Sequence, residues 1–210
     1  MKESPKPVDD PVRVGGICGS LRNGSYTRMA VEIALEGARA TGAETQLIDL
    51  RTYELTFCSG DDSVEEPADI DRFRTSVQAC QGLILGTPEY HGSFSGVLKN
   101  ALDLMGFDEM GGKMIGLVGV AGGAMGGLNA LNSLRTVGRA MHAWVVPEQA
   151  TVPQAWQLFD EDGSIKDEAI EKRLRDVGRQ VARFAYLHGN QRAQEFLRLW
   201  EGAPANPGGD

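Results

Sequence analysis

Apolar and polar positions along the chain fall into two alternating rhythms. Residues 12–18, 83–85 and 114–120 are short, nearly continuous apolar runs, the pattern of strands covered on both faces of a parallel sheet. Residues 45–50 and 143–146 suit two further strands, the last closed by Pro147. Between the runs the spacing turns helical. Helices are expected over 25–40, 68–80, 95–105 and 126–139, with Ile70, Phe73, Val77 and Cys80 on one face of the second and Val97, Leu98, Ala101, Leu102 and Met105 on one face of the third. A last helix over 167–188 carries Ile170, Leu174, Val177, Val181 and Phe184 on one stripe, preceded by an Asp162-Gly163 turn. Alternating strand and helix predicts a three-layer α/β domain whose right-handed crossovers place helices on both faces of one parallel sheet.

Composition narrows the picture. The chain has 210 residues with 41% hydrophobic and 24% charged positions, enough for one core that needs no metal or disulfide staple. Its net charge of -8 repels polyphosphate backbones and anionic membranes at long range, so neither nucleic acid nor a membrane is an expected partner. An anionic ligand must be caught by a local cradle of amides and arginine. Cys18, Cys58 and Cys80 lack the spacing of a disulfide framework or a zinc site, which implies a reducing compartment. Residues 1–11 read as a flexible tail rather than a signal peptide or anchor, and no apolar run approaches the ~18 residues of a membrane span. A soluble cytoplasmic protein is expected. Its domain should occupy 12–190, followed by a helical extension over 191–202 and a disordered tail over 203–210.

Ligands of open α/β sheets bind beyond the carboxyl ends of the strands, where three loops should converge. The first, Gly19-Ser20-Leu21-Arg22-Asn23-Gly24-Ser25-Tyr26-Thr27, joins a strand to a helix. Its glycines let amides approach a phosphate, Ser20, Ser25 and Thr27 offer hydroxyls, Arg22 a charge-assisted bond, and the helix N-terminus about half a positive charge. The plain alternative is an ordinary turn with Ser25 as N-cap and Arg22 in solvent. The second loop, from Gly86 to Gly96, sets the rings of Tyr90 and His91 among small residues, where a flat aromatic ligand can pack. The third, from Val120 to Gly127, has almost no side chains, so its amides can touch a ligand edge. Together they describe a site for a mononucleotide with a large flat head, and FMN fits.

Rival chemistries fit the spacing poorly. Gly24 precedes Ser25 where a nucleotide P-loop needs Lys, and no Gly-x-Gly-x-x-Gly follows the first strand. A cysteine phosphatase would need Arg six positions after its thiolate, but Gly24 stands six beyond Cys18, which reads as a buried strand-end residue. Asp49 could hold a ribose, yet a lone Asp at a strand end is more often a turn former. No histidine has partners at metal-ligand spacing, and no metal site is assigned.

The segments Gly19-Ser20-Leu21-Arg22-Asn23-Gly24-Ser25 and Pro88-Glu89-Tyr90-His91-Gly92-Ser93, continuing to Leu98-Lys99-Asn100-Ala101-Leu102-Asp103, resemble the signatures of the NADPH-dependent FMN reductase family. The resemblance covers residues 12–146 and implies a flavodoxin-like, doubly wound five-stranded parallel sheet of order 2-1-3-4-5. It implies that Ser20, Arg22, Ser25, Tyr26 and Thr27 hold the FMN phosphate, and that Pro88, Glu89, Tyr90, His91, Gly92 and Ser93 frame the isoalloxazine. Many relatives carry Asn in place of His91 and Pro in place of Ser95.

The expected activity is NAD(P)H-dependent oxidoreduction in two half-reactions, NADPH or NADH giving a hydride to FMN and a flavin, quinone, azo or similar acceptor then taking its place. The amides of Gly122 and Gly123 would stabilise negative charge at the pyrimidine edge of the reduced flavin. No side chain is assigned a catalytic role, since His91 and Glu89 serve equally well as pocket residues and the flavin carries the chemistry. The alternative is a flavodoxin-like electron carrier without nicotinamide-dependent turnover; a scaffold that has lost FMN and binds a partner is a third reading. Ala193, Phe196, Leu197 and Trp200 form a late apolar stripe, and with the family resemblance they point to a homodimer or homotetramer.

Overall fold

The computed structural model describes residues 11–61 and 67–189, together with 195 and 199. The elements run β1 (Arg13–Cys18), α1 (Tyr26–Arg39), β2 (Glu44–Asp49), a 3-10 turn (Leu50–Thr52), α2 (Ala68–Gln78), β3 (Gly82–Tyr90), β4 (Ser93–Phe94), α3 (Gly96–Asp103) and α4 (Phe107–Met110). They continue as β5 (Met114–Val120), α5 (Leu128–Ala140), β6 (Trp144–Val152), α6 (Ala155–Leu158) and α7 (Glu168–Gly189). The sheet order is β2-β1-β3-β5-β6, all parallel, with β4 paired antiparallel to the end of β3. Counting parallel strands alone, this is the expected order 2-1-3-4-5.

Both faces of the sheet are covered, which is why its central strands are apolar without alternation. On β3, Ile84 enters the core beneath α1 and α7, while Leu83 and Leu85 enter the core beneath α2, α3 and α5. Ser25 caps α1 by accepting from the Arg28 N–H at 3.3 Å, and Asp167 caps α7 by accepting from Ala169 and Ile170 at 2.9 and 3.0 Å. Helices α1 and α7 cross at backbone contact. A Cβ on Gly178 would stand 1.8 Å from the Ala34 carbonyl oxygen, and one on Gly37 would stand 2.1 Å from that of Arg175.

Three boundaries differ from the sequence reading. The fifth parallel strand continues through Pro147 to Val152 instead of closing there. Pro147 lies on an edge strand, within the register shift that separates the Ile115/Val145 pair from the Leu117/Gln149 pair, where a missing N–H costs no ladder bond. Arg135 takes up carbonyls freed nearby, donating to Val146 O at 3.2 Å and Pro147 O at 2.9 Å. β3 extends past Leu85 to Tyr90 and turns back through His91 and Gly92, both at positive φ (52° and 78°), as a two-residue hairpin turn. α5 starts at Leu128, because Gly126 and Gly127 are left-handed (φ 65° and 92°). The stripe of Ala193, Phe196, Leu197 and Trp200, most of the 191–202 extension, and the 1–10 and 203–210 ends lie outside the described residues.

Candidate active site

The loop after β1 is fixed at both ends. Gly19 donates its N–H to Gly86 O at 2.7 Å, and the Ser95 hydroxyl donates to Gly19 O at 2.6 Å while accepting from the Leu98 N–H at 3.1 Å. Ser95 thus caps α3 and ties it to the first loop. Only glycine fits at position 19, where a Cβ would meet Leu98 Cβ at 2.8 Å and Gly86 O at 3.0 Å. At the other end Ser25 caps α1, whose first turn contains no acidic residue. The first-turn N–H groups of Tyr26 and Thr27 have no intrahelical acceptor and carry the positive end of the dipole. Ser20, Ser25 and Thr27 are buried, Ser20 accepts from the Arg22 N–H at 3.4 Å, and Arg22 is exposed at the mouth. Ser25 is therefore the N-cap that the plain reading allowed, and the same loop still assembles hydroxyls, amides and a guanidinium.

A cleft of about 180 Å³ opens beside this loop, lined by Ser20, Arg22, Ser25, Tyr26, Thr27, Pro88, Glu89, Tyr90, Val120, Ala121, Gly122, Ala155 and Trp156. The three loops do converge. Of the residues expected around a flat ligand, Pro88, Glu89, Tyr90 and Gly122 line the cleft. His91 and Gly92 form the exposed hairpin tip, Ser93 pairs with Tyr90, and Gly123 lies one residue beyond the lining and accepts from the Gln154 N–H at 3.1 Å. Glu89 also supports a neighbouring helix. Its Oε2 accepts from the Ala130 N–H at 3.0 Å, capping the start of α5 where the N-cap, Gly127, has no side chain to offer. A larger cavity of about 590 Å³ lies at the opposite ends of the strands, against Val12, Gly42 and α7, away from these donors.

Ala155 and Trp156 were not legible as site residues. Gln154 adopts a left-handed conformation (φ 43°), the Ala155 N–H donates to Ala121 O at 3.1 Å, and Phe159 stacks on Tyr26 at 5.6 Å. The short helix α6 therefore bridges the third loop and the start of α1, and sets the Trp156 indole, 61% exposed, on the cleft wall.

Other candidates resolve into structure. Cys18 is fully buried at the end of β1, and burial pushes its thiol up, away from a nucleophilic thiolate. Asp49 accepts from the Arg51 N–H at 3.1 Å as the turn former expected. The Asn100 side chain pins the segment before α2, donating to Thr56 O at 2.9 Å and accepting from the Cys58 N–H at 3.1 Å, while Lys99 pairs with Asp103 at 2.6 Å. Among the described residues no cluster of three or more His, Cys, Asp or Glu could hold a metal ion, and no helix is long and apolar enough to cross a membrane.

The donor set fits FMN. Hydroxyls, first-turn amides and a guanidinium suit a phosphomonoester dianion. The cleft is smaller than the 300 Å³ or so at the low end for drug-sized ligands, so it would take the phosphate and polyol rather than the whole ligand, and the exposed Tyr90 and Trp156 rings on its wall offer flat apolar surface beside it.

Comparison with known proteins agrees. A model of the NADPH-dependent FMN reductase family matches residues 12–157. The NADPH-dependent FMN reductase ArsH of Shigella flexneri is 32% identical over 186 residues, covering 86% of this chain and 71% of that protein. An FMN-dependent NADPH-azoreductase of Staphylococcus aureus is 32% identical over 174 residues, covering 80% and 92%. Among solved structures, an oxidoreductase from Corynebacterium diphtheriae has a TM-score of 0.68 at 20% identity over 84% of this chain and 98% of that one, a likeness of fold. The loop after β1, the hairpin after β3 and the glycine loop after β5 thus sit on a flavodoxin-like sheet within the matched region, and the chain belongs to the NADPH-dependent FMN reductase family.

Proposed function

We propose that this protein is an NAD(P)H-dependent FMN oxidoreductase. The observation that carries the reading is the convergence, on one cleft, of a hydroxyl, amide and guanidinium cradle at one end with Tyr90 and a bare-backbone loop at the other. Ser20, Arg22, Ser25, Tyr26 and Thr27 would hold the phosphate, while Pro88, Glu89, Tyr90 and Gly122 would border the ring, with His91, Gly92, Ser93 and Gly123 shaping its rim. Bound FMN supplies the redox chemistry, taking a hydride from NADPH or NADH and delivering it to a flavin, quinone, azo or similar acceptor. The chain's own contribution is alignment: the buried Ser95 bridge and the Ser25 cap fix the anion end, and the backbone of Ala121 and Gly122 faces the occupant directly. The names of the two relatives support FMN and NADPH as the pair.

Exposed apolar side chains gather on the same sheet edge, including Leu21, Tyr90, Met125 and Trp156 at 51%, 56%, 64% and 61% exposure. This supports a homodimer or homotetramer whose subunits meet near the cleft. The three free cysteines support a reducing, cytoplasmic setting. A visible spectrum followed by anaerobic titration with NADPH and NADH tests the reading. Rapid bleaching of the yellow flavin is expected. Colour that persists with both nucleotides identifies an electron carrier instead, and a colourless protein that FMN does not reconstitute overturns the site. Light scattering should give a multiple of 22.6 kDa, and a monomer at micromolar concentration refutes the assembly.

A further inference from the structure

A charge hub stands at the end of β2, outside the lining of the cleft. Asp49 is largely buried, with its side chain 15% exposed, and its Oδ2 lies 2.8 Å from Arg51 Nη2 and 3.0 Å from Arg28 Nη2. Arg51 Nε adds a contact to Asp49 Oδ1 at 3.1 Å. The remaining arm of the same guanidinium, Nη1, donates to Asn23 Oδ1 at 3.1 Å. Arg28 Nη2 is buried without an aligned hydrogen-bond acceptor, so Asp49 holds it by charge. Burial pushes the Asp49 carboxyl up, but the Arg51 hydrogen bonds and the charges of Arg28 and Arg51 outweigh it and keep the group below its ordinary range.

The hub reaches the phosphate loop at two points. Asn23 lies in the middle of the loop, next to Arg22, and Arg28 is the residue whose N–H the Ser25 cap accepts. Gly19 and Ser25 hold the loop's ends, whereas Leu21, Arg22, Asn23 and Gly24 are exposed. The Arg51 to Asn23 bond ties this exposed stretch to the 3-10 turn that follows β2. Its geometry depends on a planar fork whose arms point to two acceptors at once, which a lysine ammonium on a flexible stem cannot reproduce.

We infer that Arg51 is a positioning residue: anchored on Asp49, it acts through Asn23 to hold Arg22 where it meets the phosphate of the ligand. The inference rests on the cleft being an FMN site. A preorganised Arg22 spares the ligand the ordering of one side chain, a cost equivalent to roughly 3- to 10-fold in affinity. The gain is restricted to ligands that carry the phosphate, since riboflavin has nothing for Arg22 to grip.

The test is titration of the flavin-free protein with FMN and with riboflavin, read by flavin fluorescence, for wild type, Arg51→Ala, Arg51→Lys, Asn23→Ala and the Arg51→Ala/Asn23→Ala double variant. Arg51→Ala and Asn23→Ala should each weaken FMN roughly 3- to 10-fold, with riboflavin changing by less than about 2-fold. The double variant should be no weaker than Arg51→Ala alone, because both substitutions break one link. Arg51→Lys should not restore the wild-type ratio of the two affinities. Equal losses for FMN and riboflavin, or losses that multiply in the double variant, would overturn the brace. Asn23→Ala lies on an exposed loop and keeps the test valid if Arg51→Ala fails to fold. A wild type that binds FMN while all variants bind it equally well refutes the brace alone; a wild type that binds neither flavin refutes the cleft reading and the brace with it.

Discussion

Replacing Ser95 with alanine removes one oxygen that serves two elements. Ser95 is 2% exposed, and its hydroxyl accepts from the Leu98 N–H at 3.1 Å and donates to Gly19 O at 2.6 Å. Loss of an N-cap costs about 1 kcal/mol. Stranding a buried carbonyl costs about 1–3 kcal/mol more. With some overlap between the two, Ser95→Ala should destabilise the flavin-free protein by about 2–4 kcal/mol, or roughly 5–12 °C in Tm for a chain of this size. Urea and thermal unfolding followed by circular dichroism measure it. Ser95→Pro makes a sharper comparison, because the Ser95 φ of -64° already suits proline. In this chain, however, the Ser95 N–H donates to Thr87 Oγ1 at 3.0 Å, and a proline Cδ would intrude along that line. Proline should therefore be no milder than alanine. A loss below about 1 kcal/mol for alanine, or a proline variant more stable than the alanine one, would refute the claim that this hydroxyl joins the loop to α3.

Arg22→Ala should weaken FMN roughly 10- to 150-fold, the worth of a charge-assisted bond, and leave riboflavin nearly unchanged; equal losses in the two calorimetric titrations would mean that Arg22 acts through the fold. Gly178→Ala would place a Cβ 1.8 Å from the Ala34 carbonyl and should lower stability by about 3 kcal/mol, so an unchanged urea midpoint would contradict the close crossing of α1 and α7. Because the Asp49 carboxyl is held below its ordinary value in the fold, its contribution is full above that value and is lost as pH falls through the folded one. Acid titrations below about pH 4 should therefore show a shallower loss of stability in Asp49→Asn than in wild type, and parallel curves would exclude the linkage. Dialysis against a chelator should leave turnover intact, whereas activity restored by zinc or magnesium would reveal a metal requirement.

The sequence made the scaffold legible where one force dominated. Strands such as β5 are apolar because both faces are covered, and α7 declares its buried stripe through Leu174, Val177 and Val181. That the first loop would line a cleft was legible because it joins a strand to a helix at the carboxyl end of the sheet, where open α/β sheets place their crevices. What stayed hidden depends on contacts distant in sequence. Pro147 read as a strand end because the edge position and the register shift that tolerate it exist only once β5 lies alongside. The hairpin that carries His91 and Gly92 at its exposed tip beyond Tyr90 went unread within a loop of small residues. Trp156 reaches the cleft through a left-handed Gln154 and a bond to Ala121, neither of which has a local signature. Arg51 meets Asn23 across 28 positions.

The crossing of α1 on α7 bears on the order in which a nascent chain becomes competent. Every residue that lines the cleft has been synthesised by Trp156, yet α1, whose first turn lines the cleft, packs its Gly37 against the backbone of a helix that begins only at Glu168. Until α7 emerges, Ala30, Val31 and Ala34 lack one wall of their core. Stable flavin capture should therefore wait until α7 has emerged. A chain halted before α7 would carry every residue of the cleft lining and should still hold FMN more weakly than the chain that includes it.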